Sequence, residues 1–359
     1  MSILLFGMLI LSSIAGTIWN IDKKKQSKLF FLLLFCLFVL TIISRQYGYF
    51  SYSDLSSYIW RFSNNDNVYF GNAYAMLCSV IRSVFGVNIN AYLATIAILT
   101  LGISVIAIKI WGSDDKPVYY NSFILLFVVY WGVSFSSEVI RSGLAIVLSL
   151  LAIACAKKKR IFLTIIFMVF SIAFHWTEIF IIPVVIMMLI GKDKTESSKS
   201  TSFFYFWIAI LFVLDIIDFS SLISRGLNAI LQILVSHTSQ IEHYLHYLNP
   251  RPREGVFSFI SLQYVYYRLL AVLLVYIFKR SKSSVVLLYS YFIGLSLYTI
   301  MSDFGVVTRM QWIFAVPSVF LIYDYIKSDE ANINNKKIII PFLAIIQAVM
   351  SVRYLGYYL

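Results

Sequence analysis

Residues 157–194 read KKKRIFLTIIFMVFSIAFHWTEIFIIPVVIMMLIGKDK. Lys157, Lys158, Lys159 and Arg160 stand at one end, Lys192 and Lys194 at the other. The stretch between them is almost wholly apolar. Lysine beside the end of an apolar span marks the cytoplasmic side of a membrane. Both ends of this segment therefore read as cytoplasmic, and the chain between them as a helical hairpin. At ~1.5 Å per residue each arm covers roughly 21 Å, short of a ~30 Å hydrocarbon core. The hairpin must lie where the bilayer is thin, or turn back inside the protein. Its tip, Phe174-His175-Trp176-Thr177-Glu178, then places an imidazole and a carboxylate below the outer surface.

The same punctuation runs the length of the chain. The 359 residues are 60% hydrophobic and only 13% charged, where a soluble domain has roughly a quarter charged. The apolar runs are continuous, which argues against a β-barrel with its period-two alternation. The expected fold is all-α: a polytopic integral membrane protein of about 12 transmembrane helices, with re-entrant or interfacial helices and an outward-facing cavity. Spans are expected near 2–20, 28–44, 89–110, 118–134, 138–156, 161–174, 177–190, 202–218, 258–278, 284–301, 306–326 and 338–357. Lysine clusters at 23–28, 109–116, 157–160, 192–199, 279–282 and 327–337 are then all cytoplasmic, and both termini lie outside.

Residues 1–359 read as a single transmembrane domain, with 2–20 a retained first span rather than a removed signal peptide. Residues 45–88 form an outer loop plus an interfacial helix at 72–86, and 219–257 a second outer loop. The net charge of +12 does not indicate nucleic acid, because the lysines sit in short clusters between spans, where they set orientation. Cys36, Cys78 and Cys155 show neither a disulfide framework nor a thiolate metal site.

The 29 basic residues comprise 17 lysines and 12 arginines. Every lysine falls on the side read as cytoplasmic, whereas all arginines but Arg160 and Arg280 fall on the other. A planar guanidinium binds phosphate or carboxylate in a bidentate way, so the outer face is read as the working face, with an acidic or phosphorylated substrate. Arg141 follows Glu138 by three residues, which would put both on one helix face; the plain alternative is a self-neutralising pair at a helix end. Arg268 lies deep in its span and needs an acid, a polar cavity or a ligand phosphate; a structural bridge to Asp215 or Asp303 is the competing reading. Arg45 and Arg309 sit near span ends, where snorkelling to the headgroups competes with an anion-binding role.

Among residues able to move a proton, His175 stands at the hairpin tip. Asp54 and Tyr58 lie one helical turn apart in a tyrosine-rich loop, an arrangement that suits a sugar ring and equally an aromatic interfacial anchor. His243 and His246, near His237 and Glu242, are too weak a pattern to indicate a metal. No GxxxxGK[ST], GxSxG or HExxH motif occurs.

Several of these elements, in order, resemble the Wzy-type polysaccharide polymerases, and specifically their EpsG-like branch. They are the lysine turn at Lys23–Lys28, then Arg45-Gln46-Tyr47-Gly48 with Asp54 and Tyr58. Phe135-Ser136-Ser137-Glu138-Val139-Ile140-Arg141-Ser142-Gly143-Leu144-Ala145, Phe174-His175 and a late Arg309 follow. The likeness is strongest over the first 190 residues. Tyr52-Ser53 stands where the family commonly has Gly-Thr before the Asp, and Ser142 where Gln often follows the Arg.

The resemblance implies transfer of a glycan from undecaprenyl diphosphate to the sugar end of another lipid-linked repeat unit, as in O-antigen or exopolysaccharide synthesis. It places the protein in the bacterial inner (plasma) membrane, with its active site on the periplasmic or extracellular side. Arg45, Arg141, Arg268 and Arg309 would hold diphosphate; Asp54, Glu138 or His175 would take the acceptor proton; Tyr58, Arg251, Arg253, Gln263 and Tyr264 would contact the glycan. The reaction implied is metal-independent and uses no cofactor. The expected partners are the undecaprenyl-diphosphate-linked donor and acceptor, membrane lipid and a chain-length regulator protein. The rival readings are a lipid-linked oligosaccharide flippase, which would show paired repeat-like halves, and an acyltransferase, which would need more polar residues on the cytoplasmic side than lysine alone.

Overall fold

In a computed structural model, residues 2–23, 28–45, 54–65, 72–112, 119–127, 131–191, 199–235, 262–281, 283–301, 305–328 and 331–352 are described. These residues are 91% helix, without strands. The contacts divide the chain into two compact units, Met1–Lys192 with Ile322–Leu359, and Asp193–Leu321.

The first unit opens with α1 (Ser2–Lys23), α2 (Lys28–Ile43), α3 (Asp54–Asn64), α4 (Asn72–Phe85), α5 (Ile89–Trp111), α6 (Tyr120–Phe127) and α7 (Val133–Ser137). It continues with α8 (Ile140–Lys157), α9 (Ile161–Phe174), a 3-10 turn at Trp176–Ile181 and α10 (Ile182–Ile190). α8 is its central post, packed by α5, α7, α9 and α10. It is buried over nearly its whole length because Ser142, Gly143, Ala145, Ser149, Ala152, Ala154 and Ala156 keep its surface small. Small residues let apolar helices approach closely in lipid, where the hydrophobic effect gives little drive to associate. The hydroxyl of Ser171 on α9 donates to Ala145 O of α8 at 2.8 Å.

The second unit holds α11 (Lys199–Ile216), α12 (Phe219–Val235), α13 (Leu262–Ser281), α14 (Val285–Met301) and α15 (Gly305–Ala315). α16 (Ser318–Lys327) carries the chain back to the first unit, which α17 (Ile333–Val352) completes by packing on α1.

Three described helices are long and apolar enough to cross a membrane: Ser2–Ile21, Ile89–Trp111 and Ile140–Lys157. A fourth span is possible in length if α11 and α12, bent by 64° at their junction, act together. Others are shorter than the expected spans. The segment expected at 306–326 breaks at Val316–Pro317 between α15 and α16, and the one expected at 118–134 includes residues 128–130, which lie outside the described residues. Phe162, Ile165, Val169 on α9 and Phe206, Val213 on α11 are exposed, an apolar surface that suits lipid rather than water. The expected outer loop 219–257 begins as helix: α12 fills its first 17 residues after a turn in which Asp218 takes φ 50°. The arms of the 157–194 hairpin are as short as the spacing predicts, with α9 only 14 residues long.

Candidate functional site

α7 and α8 do not form one continuous span. Glu138 and Val139 leave helical geometry, with φ/ψ of −127°/−55° and −111°/51°. The i, i+3 relation expected between Glu138 and Arg141 therefore does not hold, because Glu138 precedes the first turn of α8. Glu138 instead meets Arg45, whose Nη2 donates to its Oε2 at 3.0 Å. The other terminal nitrogen of Arg45 donates to Ser137 O, at the end of α7. Burial pulls the Arg45 guanidinium below its ordinary value, and Glu138 raises it again. Arg45 thus holds the break open by satisfying both a carboxylate and a helix-end carbonyl.

Arg141 stands half-buried on the first turn of α8, and Val139 at the N-cap makes no side-chain capping bond. The amide end of a helix and a guanidinium therefore occur together there, a combination suited to an anion. Gly143 is required one turn further on. A Cβ there would meet Phe135 Cβ at 2.4 Å and Cα at 2.7 Å, so α7 folds back onto α8 at van der Waals range.

Asp54 opens α3, a helix within the segment expected as an outer loop. Leu55, Tyr58 and Phe62 form the buried face of that helix. Tyr58 is set edge-on to Tyr74 at 5.6 Å, and Phe62 stacks on Tyr92 at 4.5 Å. The Tyr58 ring is thus part of the packed face of α3. Arg82 of α4 donates to Phe62 O and to Ser63 O, closing the last turn of α3. Burial pushes the Cys78 thiol on α4 up to about 11, which makes it a poor nucleophile.

His175 is the extended residue between α9 and the 3-10 turn, and its Nδ1 shares a hydrogen bond with Thr177 Oγ1. Three residues on, Glu178 has no exposed surface and neither carboxyl oxygen has a hydrogen-bond partner. Ser149 of α8 is its polar neighbour, but that hydroxyl donates to Ile146 O at 2.8 Å. Sequence reading noted Glu178 at the hairpin tip without assigning it a role; its signal is a lone carboxylate inside an apolar hairpin.

In the second unit Arg268 has the acid that its depth requires. Its Nε and Nη2 donate to Asp215 Oδ2 at 3.0 and 2.6 Å, and Nη2 also to Thr299 Oγ1. The Tyr298 ring lies 5.8 Å from the guanidinium. Gln263 and Tyr264 stand on the first turn of α13, and Arg309 on α15. Their side chains lie outside the described residues, as do Arg251, Arg253, His237, Glu242, His243 and His246 altogether. Among the described residues no group of three or more His, Cys, Asp or Glu could hold a metal ion.

No curated protein and no solved structure matches the chain. The profile of the EpsG family matches residues 28–358. The protein therefore belongs to the EpsG family, and its general role is that of a membrane glycosyltransferase-type polymerase of exopolysaccharide.

Proposed function

We propose that the protein moves a glycan from undecaprenyl diphosphate onto the sugar end of another lipid-linked repeat unit, at the outer face of the bacterial plasma membrane. The observation that carries this reading is the uncapped start of α8 with Arg141 on its first turn, braced by Arg45 on the preceding break. A diphosphate leaving group develops negative charge as its bond to the anomeric carbon breaks. Fixed donors aimed at that charge lower the barrier.

In the step proposed, the acceptor hydroxyl oxygen attacks the anomeric carbon. The carbon–oxygen bond to the diphosphate breaks, and undecaprenyl diphosphate leaves with the electron pair. The hydroxyl proton passes to a base. Asp54, Glu138 and His175 are the proposed candidates for that task. Arg268 and Arg309 are proposed to bind diphosphate as well, Arg268 with Asp215 as its resting counter-ion. Arg251, Arg253, Gln263 and Tyr264 are proposed glycan contacts. The arginines supply the positive charge, so no metal or cofactor is needed. An outward-facing cavity and a separate chain-length regulator protein complete the proposal.

The test is purified protein in nanodiscs with the cognate lipid-diphosphate repeat unit and no nucleotide, products being separated on a gel. A ladder of lengthening glycans is expected. A single unchanged band from folded protein would sink the reading.

A further inference from the structure

One face of the 157–194 hairpin is bare from its basic end to its tip. Ile161, Ile165, Val169 and Ala173 recur at helical spacing along α9, and all are exposed. Trp176 and Phe180 carry the exposed face across the 3-10 turn, and Ile190 ends it on α10. An unbroken apolar face of this kind belongs against acyl chains. The hairpin is therefore not enclosed by the rest of the chain.

The height of that face is fixed at both ends. At the base, the Lys159 ammonium donates to Met188 O at 3.2 Å and to Leu189 O. The foot of α9 is thus level with the end of α10. At the tip, α9 stops at Phe174, because His175 takes an extended φ/ψ of −151°/114°. The 14 residues of α9 rise ~21 Å, against a hydrocarbon core of ~30 Å. α5 packs on α8 as α9 does, but it has 23 residues and exposes Ile98 and Ile106. Two lipid-facing helices on one post therefore differ in height by about 13 Å.

The tip suits headgroups rather than hydrocarbon. Trp176 is 67% exposed, and its indole N–H donates to none of the described residues. An apolar ring with one free donor settles where acyl chains meet headgroups. α4, also 14 residues long, packs on α9 and exposes Met76, Val80 and Val84. A helix too short to cross, held against a short helix, displaces lipid from one leaflet.

A span shorter than the bilayer is accommodated by thinned lipid, by snorkelling or by association. Snorkelling is limited at the base, where Lys159 is tied to α10. We infer that the protein thins the bilayer against its α9–α10 face, drawing the outer headgroup layer down by about 9 Å to the level of Trp176. His175 then lies at the depth of lipid phosphates. Thinning follows from lipid contact and helix height, and holds whether or not the chain transfers a glycan.

The test uses the full chain carrying Cys36→Ser, which leaves only the buried Cys78 and Cys155 as native thiols. A spin label on Ala173→Cys is compared with one on Ile98→Cys in palmitoyl-oleoyl phosphatidylcholine bilayers. Collisional access to oxygen and to a water-soluble nickel chelate reads the depth of each. Ile98 lies roughly 13 Å from the outer end of α5, so an undeformed bilayer would put both labels at similar depth. Thinning is expected to give Ala173→Cys a nickel-to-oxygen ratio several-fold the higher. Phe180→Cys, on the second arm, repeats the measurement if Ala173→Cys does not fold. Equal ratios would overturn the inference. So would a hairpin label screened from both probes, which would mean that a second copy of the chain covers this face.

Discussion

Arg45 and Glu138, 93 residues apart in sequence, meet at 3.0 Å and fix the break between α7 and α8. Their side chains are 4% and 24% exposed, so removing one partner strands the other in a poorly solvated place. Arg45→Ala should cost about 3 kcal/mol, and Glu138→Gln, which keeps an acceptor, about 1 kcal/mol. Denaturant or thermal unfolding in detergent measures both. Equal costs would mean that the ion pair, not the bond to Ser137 O, is what Arg45 contributes.

Arg141→Lys retains the charge on the first turn of α8 but loses the forked geometry that grips two phosphate oxygens. Polymerisation in the nanodisc assay should be abolished while the unfolding midpoint stays at the wild-type value. Normal glycan chain length from this variant would remove Arg141 from the reaction. His175→Ala is expected to cause a severe loss, and wild-type turnover would make that residue structural.

The Asp215–Arg268 pair is buried on both sides, at 3% and 11% side-chain exposure. Asp215→Asn leaves a guanidinium without its carboxylate and should destabilise by about 3 kcal/mol. Replacing both by apolar residues of similar size should recover much of that loss. A double-mutant cycle in unfolding free energy reads the coupling, and strictly additive single losses would contradict the pairing.

Glu178 is buried without a hydrogen-bond partner, so its replacement by an apolar residue of similar size removes an unfavourable group. Glu178→Met should raise stability by about 1 kcal/mol, read as a higher thermal midpoint. A fall of the same size would show that the carboxyl group is bonded in the membrane.

Gly143→Ala should destabilise by about 2 kcal/mol through overpacking, because the new methyl group lands 2.7 Å from the backbone of Phe135. The unfolding midpoint reports it. A neutral outcome would require α7 to swing away from α8.

The parts of the fold legible in the sequence are those with local causes. Lysine spacing around residues 161–190 gives a hairpin too short for an ordinary bilayer, and α9 has that length. Asp215 could be named as a partner for Arg268 because a deep guanidinium needs an acid and few acids are available. The break at Glu138 was legible only to within a few residues: the expected spans 118–134 and 138–156 leave the interruption at 135–137, whereas those residues are helical and the chain breaks at Glu138–Val139, where Arg45 binds from far along the chain. α12 was legible and overlooked. Leu222, Ile223, Leu227, Ile230 and Leu231 recur at helical spacing in what reads by composition as the start of an outer loop. The packing of Tyr58 against Tyr74 was invisible, since a tyrosine-rich loop looks the same whether its rings face a sugar or one another.

The first unit is discontinuous in sequence: Met1–Lys192 is completed by Ile322–Leu359. On a translating ribosome the early helices wait while the intervening stretch is made, roughly 10 s at bacterial elongation rates. During that time the surface of α1 that later receives α17 has only lipid or an insertion chaperone to cover it. The nascent protein is therefore most open to misassembly and quality-control proteolysis late in synthesis, after most of its helices have entered the bilayer.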